Sequence, residues 1–584
     1  MPALIVILLA LVGACSGDNQ NARVTAQTLA QTEALLEDAA LTEAALSPEL
    51  TSQLGFDDRL LPDAKSQLSD ASQAAFERQR LLRMALATRL GQAPNLPEDQ
   101  PLARDLLLTR LALRDLIQLQ ASGKGHLSLS SIRVHTIDPY SGLWIEGPQA
   151  LVRDHIIETP QDADAYLTRM KALADGLQDT RRRLVADAAT GHLPSGTLLR
   201  ETRLEIDRLL DDDVLAAIPQ TLETFSATLP ADNGQSQVDR MRLARQVYQT
   251  ELLPAYRDLS TALRTLEDQA PISLGLWTQP GGVTLYNDLL EVHADQTARV
   301  ETLWPTLESA ISALEASAPI ATAPVEDSLT ETTAPSIEDQ EADPEISDVQ
   351  VELTQAARTT LTRAQTPISV MPFLGLQRLE ARYDNRRPAI IIYDEERLST
   401  LPDPLLDALI STPYLDAARI YDIAVRTGAQ RSPVRAYING DAFEQAWRTY
   451  FYSTKADSAL EEDYASVYAL DLFQTALAKA DLGLHAKRWS LSDTTNFLVV
   501  STIGLSEPLA NEAAVRLAAN PGHAVGVYVH TQRFRSLETR ARQVLGPRFD
   551  LSAFHSILIS DGPRPLSLVE RDVELWYQGL IESR

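Results

Sequence analysis

Histidine and carboxylate side chains are the groups with which this chain could hold a zinc ion or activate water. None of its nine histidines is followed by Glu, and none belongs to an H-x-x-x-H pair, the spacing that lets one helix offer two imidazoles to zinc. They are His126, His135, His155, His192, His293, His485, His523, His530 and His555. His523 and His530, seven residues apart, would share a helix face and could bind a metal with a carboxylate from elsewhere, although satisfied or exposed histidines are far commoner.

A nucleophilic hydrolase is not indicated either, because no G-x-S-x-G elbow occurs and the only cysteine is Cys15. An apolar run over residues 1–12, too short to span a bilayer, leads to Val12-Gly13-Ala14-Cys15, which resembles a bacterial lipobox, although no Lys or Arg precedes the run. We therefore predict a signal peptide over residues 1–14 and a flexible tether over 15–50. Acylation of Cys15 would anchor the protein to a membrane. Ser16 indicates sorting to the outer membrane, with the protein facing the periplasm.

Composition and charge set the broad class of the protein. The 584 residues carry 52 Lys and Arg against 80 Asp and Glu, a formal charge of −28, which opposes binding to nucleic acid. Apolar residues recur at helical spacing through most of the chain, so we expect a mainly α protein. Residues 318–349 are acidic and proline-rich with no basic or aromatic residue, which predicts a disordered insertion between an amino-terminal part, 51–317, and a carboxy-terminal part, 350–584.

Local signals predict several elements. The segment Asp162–Met170 should open a long helix, because acidic residues favour its first turn and Gly191 lies beyond its end. Residues 128–148 are expected to form an ordered loop, and Ala389–Tyr393 a short strand. Pro280-Gly281-Gly282 could cradle an anion ahead of a helix, but such a sequence is more often a simple turn.

Sequence segments in the carboxy-terminal third carry a family resemblance. Asp481–Trp489, Asn520–Ala524, Leu545–His555 and Gly562–Leu566 resemble, in order, segments of the bacterial DUF885 family, peptidase-like proteins similar to helical zinc metallopeptidases. Earlier segments fit the same family, so the resemblance covers roughly residues 50–584 apart from the acidic insertion. It implies a large, helical, two-lobed body with a small β element.

The resemblance also implies a metal motif that this chain lacks. The family stretch resembles H-E-x-x-P-G-H-H-x-Q followed by E-G-W, in which two His and the later Glu look like zinc ligands and the first Glu like a general base. Tyr421 and Thr427 stand at the two His positions, Asp422 at the Glu position, and Asn439 at the later Glu position. Phenol, hydroxyl and carboxamide groups hold zinc poorly beside imidazole and carboxylate. We therefore expect no zinc and no other cofactor, and an ordinary core helix at this stretch.

The resulting hypothesis is a lipid-anchored, catalytically inactive peptidase homologue that binds a peptide or another ligand in a cleft between its lobes. His485, Lys487, His523 and His530 are candidates for lining that cleft, although packing is favoured for the first two. Two alternatives remain open. One is a hydrolase with a rearranged site built on Asp422, His485, His523 and His530, and the other is a structural partner in an envelope complex.

Overall fold

The computed structural model describes most of the chain on either side of the acidic segment. It covers residues 26–318 apart from 98–99, 124, 212–213, 227–228, 230–236 and 295. It then covers 368–369, 391–392, 401–410, 417, 420–421, 431–438, 440–455 and 461–582. Several predicted features lie outside the described residues. These are the signal peptide, Cys15 with the start of the tether, and the acidic insertion from residue 319. Asp422, Thr427 and Asn439 also lie outside them.

Helices dominate the part of the chain before the acidic segment. The first of them, α1, spans residues 26–46. The others are α2 (Pro48–Gln53), α3 (Asp57–Leu60), α4 (Gln73–Gly91), α5 (Pro101–Ser122), α6 (Leu143–Gln149), α7 (Pro160–Ala189), α8 (Gly196–Asp211), α9 (Ala217–Ser226), α10 (Gln237–Val247), α11 (Leu253–Glu267), α12 (Gly282–His293) and α13 (Val300–Ala316). In α5 the buried residues Leu106, Leu113 and Leu116 recur at helical spacing, so one face of the helix turns to a core.

The carboxy-terminal part is also helical. Its helices are α14 (Asp403–Ile410), α15 (Asp441–Lys455), α16 (Glu461–Ala486), α17 (Leu491–Val500), α18 (Glu507–Ala519), α19 (His523–Leu545), α20 (Leu551–Ile559) and α21 (Leu566–Glu582). The short helical turn Pro433–Tyr437 precedes α15. The mainly α fold class is thus confirmed.

The small β element is not established by the described residues. Ile368–Ser369 and Ile391–Ile392 form a parallel pairing of two residues each, which is too short to act as a sheet. The remainder of the predicted strand Ala389–Tyr393 lies outside the described residues. A run of β-branched residues gives a strand only where a partner strand can extend alongside it, and local sequence does not encode that partner.

The prediction of the long helix is confirmed, whereas part of the predicted loop is helical. Helix α7 begins after Thr159, whose side chain and that of Asp162 form a capping box, and Gly191 follows its end with φ +77°. The loop prediction over 128–148 is wrong from Leu143 onwards, because α6 occupies these residues. The helix forms although it contains Pro148. Proline leaves the carbonyl four residues earlier without its helical donor. That carbonyl, of Trp144, instead accepts a hydrogen bond of 2.6 Å from the Tyr256 hydroxyl.

The two parts of the chain share their cores. Among the described residues, one apolar cluster joins Leu198 and Leu274 to helices of the carboxy-terminal part, and another joins Val434 and Val525 to α1, α4, α5 and α12. Two further clusters lie within one part each. Packing therefore crosses the predicted boundary. Within the described part of the chain, no helix is both long enough and apolar enough to cross a bilayer.

Candidate functional site

A cavity of about 280 Å³ opens where the amino-terminal and carboxy-terminal parts meet. Its wall is formed by α5 and α12 from the first part, and by the start of α15, α19 and the loop before α21 from the second. The wall is largely apolar, and includes Leu108, Leu111, Leu116, Leu129, Ile438 and Phe443. An apolar cavity with a few polar groups is the usual form of a small-molecule site.

The side chain of Tyr421 lies beside this cavity. A Cβ atom placed on Gly440 would be 3.1 Å from the Tyr421 hydroxyl oxygen, and Gly440 lines the cavity. Gly440 directly follows Asn439 in the sequence. The structure thus brings Tyr421 next to Gly440, which follows Asn439, so two positions at which the sequence analysis expected metal ligands belong to neighbouring segments.

The surroundings of Tyr421 keep its phenol protonated. Burial raises the pKa of Tyr421 well above its usual range, and the carboxylates of Glu444 and Asp441 raise it further. Arg431 and Arg564 act in the opposite direction, but more weakly. Metal ligands bind in their deprotonated form, so a phenol that resists ionisation is a poor substitute for imidazole at a zinc site.

Two histidines line the cavity, and a third lies beside one of them. His530 lines it from α19, and the Nδ1 atom of His530 lies 2.9 Å from the carbonyl oxygen of Gly526. His293 lines it from the end of α12. Only 7% of this residue is exposed, and its buried Nε2 has no hydrogen-bond partner among the residues that the structure describes. The His523 ring lies 5.9 Å from that of His293 and faces a second, smaller cavity together with Arg516.

Neutral imidazoles result from this burial. Burial, with a smaller contribution from the nearby His530, lowers the pKa of His293 to about 4. Burial also lowers the pKa of His523 to about 3, with a further contribution from His293. Neutral imidazole can bind a metal, but the described residues contain no group of three or more His, Cys, Asp or Glu side chains placed to hold one. The absence of zinc remains a prediction, because Asp422 and Asn439 lie outside the described residues.

His485 and Lys487 do not line the cavity. The Nδ1 atom of His485 accepts a hydrogen bond of 3.1 Å from the Leu276 backbone N–H, and its Nε2 lies 3.1 Å from the Leu517 carbonyl oxygen. Its ring stacks on Tyr286, and burial lowers its pKa to about 3. Because both ring nitrogens are used within the protein, His485 links three elements. Lys487 is exposed, and its Nζ lies 5.2 Å from the Trp304 ring centroid.

A buried ion pair connects the two parts of the chain near the cavity. The Arg435 Nη1 atom lies 3.0 Å from Oδ1 of Asp105, and both side chains are 4% exposed. The second guanidinium nitrogen of Arg435 donates to the Asp561 carbonyl oxygen at 2.6 Å. Sequence reasoning missed this pair, because the two residues are 330 positions apart and belong to no motif.

Arg564, in the cavity wall, makes four hydrogen bonds to protein partners. Its Nε donates to Asp572 at 2.8 Å, and its other nitrogens donate to the carbonyl oxygens of Ile557, Leu558 and Gly562. The segment Gly562–Leu566 was noticed in the sequence only for its resemblance to the family. The structure indicates that Arg564 fixes the loop that closes one side of the cavity.

Comparison with known proteins identifies the family. The model of a bacterial protein family of unknown function, DUF885, matches residues 48–373 and 451–573. The chain belongs to the DUF885 family. No curated protein matches it.

Two solved structures share the fold of this DUF885 protein. A candidate lipoprotein from Colwellia psychrerythraea has a TM-score of 0.77 and 16% identity, over 94% of this chain and 100% of the other. A candidate lipoprotein of unknown function from Shewanella oneidensis has a TM-score of 0.59 and 13% identity, over 93% of this chain and 99% of the other. Neither match supports the expected likeness to zinc metallopeptidases.

The DUF885 model leaves residues 374–450 of this chain unmatched. That stretch contains Tyr421, Asp422, Thr427 and Asn439, the positions at which the expected metal motif is replaced. It also contains Gly440 in the cavity wall. The family match therefore does not extend to the positions at which the metal motif was expected, while the helices that form most of the cavity wall lie in the matched parts.

Proposed function

We propose that this DUF885 protein is a lipid-anchored envelope protein that lacks peptidase activity and holds a ligand in the cavity beside Tyr421 and Gly440. The observation that carries the proposal is the position of the cavity, which adjoins the segment aligned with the family's metal motif. Its volume of about 280 Å³ is close to the lower end of the range typical of ligand sites, roughly 300–1,000 Å³. Loss of the metal ligands leaves this space in place.

Coordination chemistry supports the loss of catalysis. A zinc peptidase needs imidazoles and a carboxylate to hold the ion, and a second carboxylate to take a proton from bound water. Here Tyr421, Thr427 and Asn439 replace the three ligands, and Asp422 is one methylene shorter than the glutamate base. The buried, protonated Tyr421 phenol described above fits this interpretation.

Metal analysis tests the loss of catalysis directly. Purified protein should contain zinc far below one atom per chain and should not cleave a peptide pool in a chelator-sensitive way. A variant that restores the motif, Tyr421→His with Thr427→His and Asn439→Glu, should gain zinc. Stoichiometric zinc in the wild type, together with peptide cleavage that a chelator abolishes, would overturn the proposal.

The lipid anchor is proposed from the lipobox-like segment ending at Cys15, and the lipoprotein descriptions of the two solved relatives are consistent with it. Cells fed radiolabelled palmitate should label the wild type but not Cys15→Ser. The wild type should fractionate with the outer membrane, facing the periplasm, and Ser16→Asp should move it to the inner membrane. Equal labelling of wild type and Cys15→Ser would refute acylation at this residue.

The rearranged hydrolase is less well supported than ligand binding. Of its four residues, His485 has both ring nitrogens bonded to backbone groups, and His523 faces the small cavity of about 30 Å³ rather than the large one. Of the three histidines in this rearranged site, only His530 lines the large cavity. No observation favours the role of a purely structural envelope partner.

A further inference from the structure

The charged groups in the cavity wall are mainly acidic. Asp115 lines the cavity from α5 and Glu291 lines it from α12. The basic residue in the wall, Arg564, pairs with Asp572 and donates to three backbone carbonyl oxygens, and its side chain is fully buried, so its charge is engaged within the protein. A ligand would therefore meet carboxylates without meeting an unpaired cation in the wall.

The carboxylate of Asp115 keeps one oxygen available. Arg114 donates to Asp115 through Nε at 2.9 Å and through Nη2 at 2.6 Å, and both bonds end on Oδ1. Among the described residues, none donates to Oδ2. The Asp115 side chain is 25% exposed and the residue lines the cavity, so the carboxylate is partly shielded from bulk solvent.

Glu291 is in a similar state. Its Oε1 lies 3.0 Å from Nη2 of Arg299, while Oε2 has only a long contact of 3.5 Å from Nε2 of Gln118. Each acidic residue of the wall therefore has one oxygen held by an arginine and another weakly used. An ammonium group has three donors, and it can bond such oxygens without displacing either arginine.

The two carboxylates of the wall are close enough to repel each other. Burial raises the pKa of Asp115 above its usual value, Arg114 lowers it, and the nearby Glu291 raises it again. Like charges that oppose each other favour protonation of one partner. A cation bound between them would relieve that opposition, whereas an anion would increase it.

The remainder of the wall fits an apolar body. Leucines of α5, together with Ile438 and Phe443, contribute apolar surface, and the His293 imidazole is neutral. Burying apolar ligand surface against such a wall is favourable by about 25 cal/mol per Å². A second charged group on the ligand would find no partner there, and it would pay the cost of desolvation.

We infer that the cavity binds a molecule with an apolar body and one protonated amine, held between Asp115 and Glu291, and that it discriminates against the matching carboxylate. This inference rests on the proposed function, since it assumes that the cavity holds a ligand. It adds the chemical class of that ligand and the two residues that select it.

The test compares two probes of equal size, hexylammonium and hexanoate, by isothermal titration calorimetry at pH 7. The protein is the full-length chain carrying Cys15→Ser, which cannot be acylated at that residue, and every variant is measured in the same buffer. Hexylammonium should bind at least tenfold more tightly than hexanoate. The variant Asp115→Asn with Glu291→Gln should reduce this ratio to less than threefold, while leaving the affinity for the uncharged 1-hexanol within a factor of two.

A matched control removes the effect of overall charge, because a chain of formal charge −28 attracts any cation. Asp164→Asn with Glu223→Gln changes the net charge equally, on two acidic residues that pair with Arg240 and Arg245 away from the cavity. This variant should keep the tenfold ratio. A ratio that falls equally in both double variants would overturn the inference, because the selection would then come from the whole protein.

The outcomes separate the inference from the proposed function. If hexanoate binds the wild type as tightly as hexylammonium, the amine selectivity is wrong, but a ligand cavity remains. If neither these probes nor 1-hexanol binds at millimolar concentration, the proposed ligand cavity fails as well. Leucyl-leucinamide distinguishes the source of the amine. Tighter binding than that of hexylammonium indicates a peptide amino terminus, and weaker binding indicates a small amine. Both results support a ligand with one protonated amine.

Discussion

Replacing Gly440 with alanine tests how closely Tyr421, Gly440 and Pro563 meet beside the cavity. The added Cβ would lie 2.7 Å from Cβ and 2.8 Å from Cγ of Pro563, and 3.1 Å from the Tyr421 hydroxyl oxygen. Carbon atoms in contact prefer a separation of about 3.5–4.0 Å. The pyrrolidine ring cannot rotate away as a flexible side chain could, so the backbone of one segment has to move.

The expected cost follows from this conflict. Inserting a methyl group into a packed site lowers the free energy of unfolding by about 1–3 kcal/mol. Gly579→Ala is the matched control, because it adds the same atom within α21 where no other atom lies within 4 Å. Alanine favours a helix by up to about 1 kcal/mol over glycine. The two variants should therefore differ in unfolding free energy by roughly 1–4 kcal/mol.

Urea denaturation followed by circular dichroism measures the difference at fixed pH. Both variants remove one glycine, so the change in the unfolded chain is the same and cancels in the comparison. Gly440→Ala should also weaken hexylammonium binding, because Gly440 and Pro563 line the cavity, and Gly579→Ala should not. Equal stability of the two variants would refute the close packing, and with it the placement of Tyr421 beside the cavity.

Three further predictions concern buried ionisable side chains. Glu43→Gln should lower the free energy of unfolding by about 3–5 kcal/mol in a urea assay, because Arg83, which is 1% exposed and bonded to Glu43 at 2.9 Å, would lose its partner carboxylate. Asp70 pairs with Arg78 on the surface, so Asp70→Asn should cost less than about 1 kcal/mol in the same assay. Burial lowers the pKa of His485 to about 3, so stability that is present above pH 6.5 should be lost as the pH falls towards 3, and urea midpoints over that range should show a smaller loss for His485→Gln. Burial raises the pKa of Asp481 from 3.8 to about 7, so the wild type should lose stability as the pH rises between these values, and urea midpoints of Asp481→Asn should lack that loss.

Helix α7 shows which features can be predicted from the sequence. Its start depends on Thr159 and Asp162, three residues apart, and its end on Gly191, which adopts a positive φ. Each cause lies within one helical turn of its effect, so a short window of sequence contains it. The error over α6 has the opposite origin, since the carbonyl freed by Pro148 is satisfied by Tyr256, more than a hundred residues away.

The cavity could not be predicted for the same reason. Its wall combines α5, α12, α15 and α19, and no periodicity within one helix indicates which faces will meet. The ion pair of Asp105 and Arg435 likewise spans 330 positions. The histidines illustrate the limit. Their spacing indicated that His523 and His530 share α19, but only the structure shows that His293, the last residue of α12, lies against that helix.

The proposed loss of the metal motif and the presence of the cavity are separable in physical terms. The motif lies on one stretch of chain, whereas the wall is built mostly from other helices, so substitution at Tyr421 does not remove the space. An apolar cavity is costly, because its lining atoms lack contacts that a filled core would supply. Larger side chains at Ala112 or Ala442, both in the wall, would fill part of it. Under the proposed function, alanine at both positions keeps that space open for a ligand.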